Sequence, residues 1–177
     1  MIKVLKWIAV VALAVWLGLT SCVVLEDDDT LIDIITEHGD ELAPIAKIIW
    51  EEDPMAIIDL RGGDITTESG REVRIEPESL ISKISDEQIE ALADAGVRLA
   101  HHDSFYGGVL FVTGEGGISI SGAVTGLVWE GSEFNSELIV PNVEEAVEKE
   151  KAAPNTRKNY WFIRPVNDQW GIFYQVH

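Results

Sequence analysis

The sequence predicts an α+β domain in which short helices pack on a mostly antiparallel sheet made of hairpins. Apolar residues recur at helical spacing between residues 31 and 52 and again between residues 85 and 96. After Gly96 the spacing changes to two, and strand-like segments follow toward the end of the chain. Helices first and mostly antiparallel strands afterwards are typical of α+β rather than α/β proteins.

Two helices separated by Gly39 are predicted at the start of this domain. The first covers residues 31–38, and the glycine is a plausible stop signal. The second covers residues 40–52, where Asp40 can cap the N-terminus and Pro44 is tolerated only near the first turn.

A third helix is the element that local sequence supports best. Ser85 can cap it, Gln88 completes a capping box, and Gly96 ends it. A helical turn is also expected within residues 79–84. Before these helices, residues 55–60 predict a short strand.

Alternation of polar and apolar residues predicts further strands. Residues 71–76 alternate in this way and suit a half-buried edge strand that Pro77 closes. Residues 109–113 and 118–129 predict a hairpin with its turn at residues 114–117, a Gly-Glu-Gly-Gly sequence. The internal Gly122 and Gly126 indicate a bulge or a close contact with another element.

The last third of the chain is predicted to hold a loop, a helix and a second hairpin. Residues 130–141 are loop-like. Residues 143–153 predict a charged helix with little apolar surface or a mobile excursion, in either case a solvated connection. Aromatic-rich strands at residues 160–166 and 170–176 are joined by residues 167–169.

The first 25 residues carry the signals for cellular location. Lys3 and Lys6 precede an uncharged run from Trp7 to Leu25, a pattern typical of an export signal. The sequence Leu19-Thr20-Ser21-Cys22 ends in the only cysteine of the chain. Residues 1–22 therefore resemble a bacterial lipoprotein precursor. The resemblance implies that Cys22 is acylated and becomes the mature N-terminus.

Two other outcomes for the N-terminal segment stay open. Nineteen uncharged residues would span about 28 Å as a helix, close to the hydrocarbon thickness, so the segment could remain as an uncleaved anchor. Cleavage to a free protein would leave Cys22 unexplained. We expect residues 1–22 to be a signal peptide or anchor, 23–30 an acidic tether, and 31–177 one globular domain. The domain would face the periplasm or the exterior of the cell envelope.

Composition excludes several classes of function. Without Lys3 and Lys6 the chain has 11 basic and 31 acidic residues, a net charge of −20. Nucleic-acid binding is excluded as a main role because phosphates would repel this charge, whereas a cationic protein partner would be attracted. The lack of cysteine after Cys22 excludes disulfides and thiol chemistry in the domain. No cofactor is expected.

The sequence His101-His102-Asp103 could in principle supply metal ligands or a general base. Neighbouring residues of a strand point to opposite faces, however, so the two imidazoles should not meet at one ion. No metal site and no catalytic residue are therefore assigned.

Aromatic residues of the last hairpin form a second possible site. Tyr160, Phe162, Trp170 and Tyr174 could form a face that binds a peptide or a sugar ring, or they could belong to the core.

Three hypotheses about function follow from the sequence. The first is a non-enzymatic, membrane-tethered envelope protein with a binding or structural role. The second is an envelope hydrolase or metal-dependent enzyme that uses His101, His102 or Asp103. The third is an acidic inhibitor or immunity-type protein that neutralises a cationic partner.

Overall fold

The computed structural model of the protein describes residues 26–118, 121–152 and 159–176. These residues form an α+β fold with one antiparallel sheet, as the sequence predicts. The helices are α1 (Asp28–Glu52), α2 (Glu78–Ile81), α3 (Asp86–Asp94) and α4 (Val143–Ala152). The strands are β1 (Ile57–Asp59), β2 (Ile65–Thr66), β3 (Glu72–Glu76), β4 (Leu99–Asp103), β5 (Gly108–Ile118), β6 (Ser121–Glu130), β7 (Tyr160–Pro165) and β8 (Trp170–Val176). Their order across the sheet is β2-β3-β1-β4-β5-β6-β8-β7.

The helix α1 is continuous over 25 residues, so the prediction of two helices separated by Gly39 is wrong. The glycine stays helical because α1 packs on the sheet at this point. A Cβ atom added at Gly39 would lie 3.4 Å from Nε1 of Trp170. Pro44 removes one backbone donor from the helix, and it lies on the exposed side, where water can bind the freed carbonyl group.

The start of α1 shortens the predicted tether. The side chain of Asp27 caps the helix by accepting the backbone N–H of Thr30 at 2.8 Å. Because Asp28 is already helical, the tether predicted for residues 23–30 cannot extend beyond Asp27. The predicted signal segment and Cys22 lie outside the described residues. In the part of the chain that the structure describes, no helix has both the length and the apolar character needed to cross a bilayer.

The main core lies between the helices and one face of the sheet, the helix face. α1 contributes five residues to it that are at most 1 % exposed, among them Leu42 and Ile49. The sheet contributes Ile58, Ala100 and Phe111 from three neighbouring strands. α3 joins this layer through its buried Ile89 and Leu92, and its predicted capping box between Ser85 and Gln88 is confirmed. Trp170 and Ile172 of β8 also belong to this core.

The opposite face of the sheet, the loop face, has a smaller core. Leu110, Val128 and Phe173 lie on it, and Phe134 and Leu138 cover them from the segment predicted as a loop. This segment also pairs with the edge of the sheet through a parallel bridge between Ile139 and Ile163. The predicted loop is therefore a cover for the strands β5 to β8.

The helix α4 packs on the sheet, whereas the sequence predicts that it is a solvated connection. Val143 and Val147 are buried against Tyr160 of β7. These two apolar residues, spaced four apart, lie on one side of the helix, while Glu145, Glu148 and Lys149 are exposed. The prediction overlooked that two valines are enough to attach a charged helix to an aromatic strand.

The turn predicted at residues 114–117 is also wrong. The pairing of β5 with β6 continues through Gly117 and Gly122 to Ile118 and Ser121, so the glycine-rich stretch belongs to the strand. The predicted close contact at Gly126 is present, because a Cβ atom there would lie 2.0 Å from the carbonyl oxygen of Phe111. The bulge, however, falls between Val112 and Gly114 on β5.

The strand β3 has the predicted alternation, with Val73 and Ile75 buried and their neighbours exposed. It is not an edge strand, because the two-residue strand β2 lies outside it. The final hairpin of β7 and β8 agrees with the prediction.

Candidate functional site

The two adjacent histidines lie on opposite faces of β4. His101 pairs with Leu110 of the loop face, and His102 pairs with Val109 of the helix face. Nδ1 of His101 donates to the carbonyl oxygen of His102 at 3.2 Å. The imidazole of His102 packs on the indole of Trp50 with ring centroids 4.3 Å apart. The rings therefore do not converge on a common ligand.

Asp103 is engaged in a turn. Its Oδ1 accepts the backbone N–H groups of Phe105 at 2.9 Å and Tyr106 at 3.1 Å. Both histidines border a groove of about 290 Å³ whose other walls are apolar, so no carboxylate meets the imidazoles there. Within residues 26–118, 121–152 and 159–176, no group of three or more potential metal-binding side chains occurs. The geometry thus gives the His101-His102-Asp103 cluster neither a base–acid pair nor a ligand set.

The four aromatic residues predicted as a binding face are split between packing environments. Trp170 is buried beneath α1, and Tyr160 is buried beneath α4. Phe162 and Tyr174 are half-buried beside Tyr160, with ring centroids 5.5 Å and 6.4 Å from it. Burial raises the pKa of the Tyr160 and Tyr174 hydroxyls. The prediction of a joint binding face is wrong for Tyr160 and Trp170, because helices cover them.

Sequence reasoning did not single out Phe105, which is the exposed aromatic residue of the loop face. Its side chain is 49 % exposed and meets the edge of Trp161 at a centroid distance of 5.5 Å. The turn that Asp103 forms holds it in this position.

An ionic cluster lies on the same loop face, near the other end of β1. The carboxylate of Asp59 accepts Nε and Nη2 of Arg61, each at 2.8 Å, and Nη2 of Arg74 at 3.3 Å. Nη1 of Arg61 reaches Glu115 of β5 at 2.8 Å. The hydrogen bonds from Arg61 hold the pKa of Asp59 below its usual value against the opposing effect of burial. Because carboxylates already occupy the Arg61 guanidinium, the cluster links strands rather than offering a free anion site.

Six acidic residues line a groove on the helix side, which we call the acidic groove. It has a volume of about 590 Å³ and lies between α1, α3 and the connection from β2 to β3. Its six acidic residues are Glu41, Glu68, Asp86, Glu87, Glu90 and Asp94.

Arg71 at the rim neutralises the charge of one of these acidic residues, Glu90. Nη2 of Arg71 binds Glu90 at 3.2 Å, and Ser69 donates to the same carboxylate. These contacts, Arg71 first, hold the pKa of Glu90 below its usual value. The other carboxylates of the groove have no ion pair with a Lys or Arg side chain among the described residues.

Comparisons with protein-family models, curated proteins and solved structures find no match. The geometry of the described residues is therefore the basis for the proposal on function.

The acidic groove could not be located from the sequence. Asp86 and Glu87 in the first turn of α3 are recognisable as helix-dipole partners, and Glu41 as an exposed helical residue. Only the tertiary contact between α1 and α3, together with the Glu68–Ser69 segment, brings them to one cleft.

Proposed function

We propose that the protein is a membrane-tethered, extracytoplasmic binding protein without a catalytic role, and that its partner is a cationic protein. Lipid attachment at Cys22 would hold it in the cell envelope, with a retained N-terminal helix as the alternative anchor. This proposal joins the binding hypothesis with the acidic inhibitor hypothesis. The enzyme hypothesis gains no support from the positions of His101, His102 and Asp103.

The acidic groove is the observation that carries the proposed partner. Six carboxylates surround a cleft of about 590 Å³, which is large enough to accept several side chains of a partner. Such a cleft raises the local concentration of cations and accelerates association with a basic surface.

The distribution of charge over the two faces supports the same partner. α1 carries eight acidic residues and one lysine, and α3 carries four acidic residues and no base. On the loop face, by contrast, Arg61 and Arg74 neutralise Asp59 and Glu115. The excess of acidic residues on α1 and α3 would attract a basic partner to the helix side.

Binding of a defined basic probe tests this proposal. A Lys/Ala peptide would be titrated calorimetrically into residues 23–177 and into two double variants of equal charge. Glu41→Gln with Asp94→Asn removes two charges from the acidic groove, and Glu72→Gln with Glu133→Gln removes two exposed charges elsewhere.

We expect the groove variant to weaken binding several-fold more than its matched control. Affinity should also fall as salt rises, because exposed charges are screened beyond about 10 Å at 0.1 M ionic strength. Equal weakening by both double variants, or affinity that is independent of salt, would reject the groove as the binding surface.

The proposed anchor is tested separately by intact mass. Membrane-expressed protein should carry the mass of acyl groups on a chain that begins at Cys22, and Cys22→Ala should lose it. A wild-type mass equal to the full unmodified chain would indicate a retained helix instead.

A further inference from the structure

We propose that the end of the domain at which α1 begins is held against the lipid surface, so that the domain has a defined orientation on the membrane. This anchored end comprises residues 26–28, 114–118, 121–125 and 174–176. The inference rests on the lipid attachment in the proposed function. Besides the lipid attachment and the acidic groove, the inference adds a protein surface that contacts the membrane, here a zwitterionic bilayer.

The tether between Cys22 and the domain is short. Residues 23–27 separate the cysteine from the first helical residue, Asp28. Five fully extended residues span at most about 18 Å. The start of α1 therefore cannot move farther than this from the glycerol region of an acylated cysteine.

The start of α1 is also fixed to the sheet, so the tether cannot lengthen by unwinding. Asp28 forms an ion pair with Arg164 of β7. Leu31, one turn later, is 1 % exposed and belongs to the main core. The backbone nitrogen of Glu26 lies 3.5 Å from the position that a Cβ atom would take on Gly114. The first turn thus moves with β5 and β7 as one unit.

The anchored end is suited to a lipid surface by its composition. Residues 116–125 contain no charged residue, although 25 % of the chain is charged. A charged side chain near lipid hydrocarbon is energetically costly, and an uncharged stretch does not carry this cost. The neighbouring charge, Glu115, is paired with Arg61.

Aromatic residues lie at the same end. Strand pairing places Tyr174 beside Thr125 and Tyr160 beside Val176. Tyr160 is buried beneath α4, but Tyr174 is half-buried at this end, and Tyr side chains are enriched where proteins meet the boundary between lipid and water. Of the acidic residues nearby, Asp28 pairs with Arg164, whereas Glu26, Asp27 and Asp29 have no ion pair with a Lys or Arg side chain among the described residues. These three acids favour zwitterionic over anionic lipid.

The opposite end of the domain lies far beyond the reach of the tether. α1 has 25 residues and is therefore about 37 Å long. Its last part packs at the other end of β5 and β6, because a Cβ atom on Gly131 would lie 2.3 Å from the indole of Trp50. Met55 follows there and is 79 % exposed. Glu41 of the acidic groove lies about 20 Å along α1 from Asp28, so the groove stays open to an aqueous partner.

Site-specific quenching on vesicles tests the orientation. Acylated protein that begins at Cys22 would be reconstituted in phosphatidylcholine vesicles with a nitroxide on the lipid headgroups. Acylation blocks Cys22, so an introduced cysteine is the single free thiol. One sample would carry a fluorophore at Ala123→Cys, a half-buried position of the anchored end, and the other at Met55→Cys. Unchanged thermal melting would verify that both variants fold, and Asp29→Cys would replace Ala123→Cys if it does not.

We expect the fluorophore at the anchored end to be quenched several-fold more than the one at Met55. Inserting twenty Gly/Ser residues between Leu25 and Glu26 would add about 25 Å of flexible reach and should reduce this difference. Equal quenching at both positions would overturn the inference, and so would a difference that the insertion abolishes, because the tether alone would then set the orientation. Protein that fails to co-sediment with vesicles would instead reject the tether, and loss of basic-peptide binding would concern the partner alone.

Discussion

Replacing Asp59 by Asn should destabilise the domain because one buried carboxylate accepts hydrogen bonds from two arginines. The Asp59 side chain is 8 % exposed, whereas those of Arg61 and Arg74 are 44 % and 50 % exposed. Besides three guanidinium contacts, Oδ1 accepts the backbone N–H of Arg61 at 3.0 Å. The substitution keeps the shape and removes the charge.

The expected magnitude follows from these contacts. Removing one partner of a fully buried ion pair costs about 3–5 kcal/mol. Both guanidinium groups can return to water, and the amide oxygen of Asn can still accept one or two of the bonds. We therefore expect the free energy of unfolding to fall by about 2–3 kcal/mol at neutral pH, at the upper range of a charged hydrogen bond.

The pKa of Asp59 determines how the stability difference between wild type and Asp59→Asn should change with pH. The folded-state pKa of Asp59 lies below its unfolded-state value, so the ionised carboxylate stabilises the fold above that unfolded-state value. The stabilisation is lost as pH falls below about 4, through the folded-state pKa. The difference between wild type and Asp59→Asn should then shrink.

Urea unfolding followed by tryptophan fluorescence, at neutral pH and at about pH 3, measures both effects. Asp64→Asn, an exposed carboxylate five residues further along the chain, is the matched control and should leave stability unchanged. If Asp59→Asn is as stable as wild type at neutral pH, or if its deficit persists in acid, the ionic cluster does not stabilise the sheet in the way described.

Three further substitutions test the packing of the helices, each by thermal and urea unfolding. Gly131→Ala should cost about 1–3 kcal/mol, because a Cβ atom would overlap the indole of Trp50 and force it to move; a neutral result would contradict that contact. Ser85→Ala should lower the free energy of unfolding by about 1 kcal/mol, because the capping box with Gln88 is lost. Ser85→Asp can still cap the helix and should keep the stability of the wild type, which separates capping from a general effect of substitution. Val147→Ala should lower the free energy of unfolding by about 1.5 kcal/mol, because two buried methyl groups are lost. An unchanged unfolding midpoint would indicate that α4 is a solvated connection after all.

The features that the sequence predicts correctly are those that depend on neighbouring residues. The capping box of α3 needs only Ser85 and Gln88, and the alternation of β3 needs five consecutive residues. The final hairpin is recognisable because two aromatic-rich strands flank a short polar turn. In each case local preference and tertiary structure agree.

The predictions are wrong where contacts with residues distant in the sequence override a local structural preference. Gly39 has the chemistry of a helix stop, but Trp170, far along the chain, packs against it within a continuous helix. The glycines at residues 114–117 have the chemistry of a turn, but pairing with β6 extends them as a strand. The aromatic residues of β7 and β8 alternate as predicted, yet only the positions of α1 and α4 decide which are covered.

Folding alone does not require the acidic groove, so the last prediction concerns the effect of its charges on stability. Repulsion between like charges opposes the compact state, whereas Asp59 and Glu115 on the loop face are both paired with Arg61. If the groove is kept for a partner, the groove variant Glu41→Gln with Asp94→Asn should unfold at higher urea concentration than wild type at low salt. The gain should disappear in about 0.5 M salt, where charges are screened within a few ångströms. A groove variant that is both less stable and unchanged in binding would show that these carboxylates serve the fold, and the proposed partner would then have to bind elsewhere.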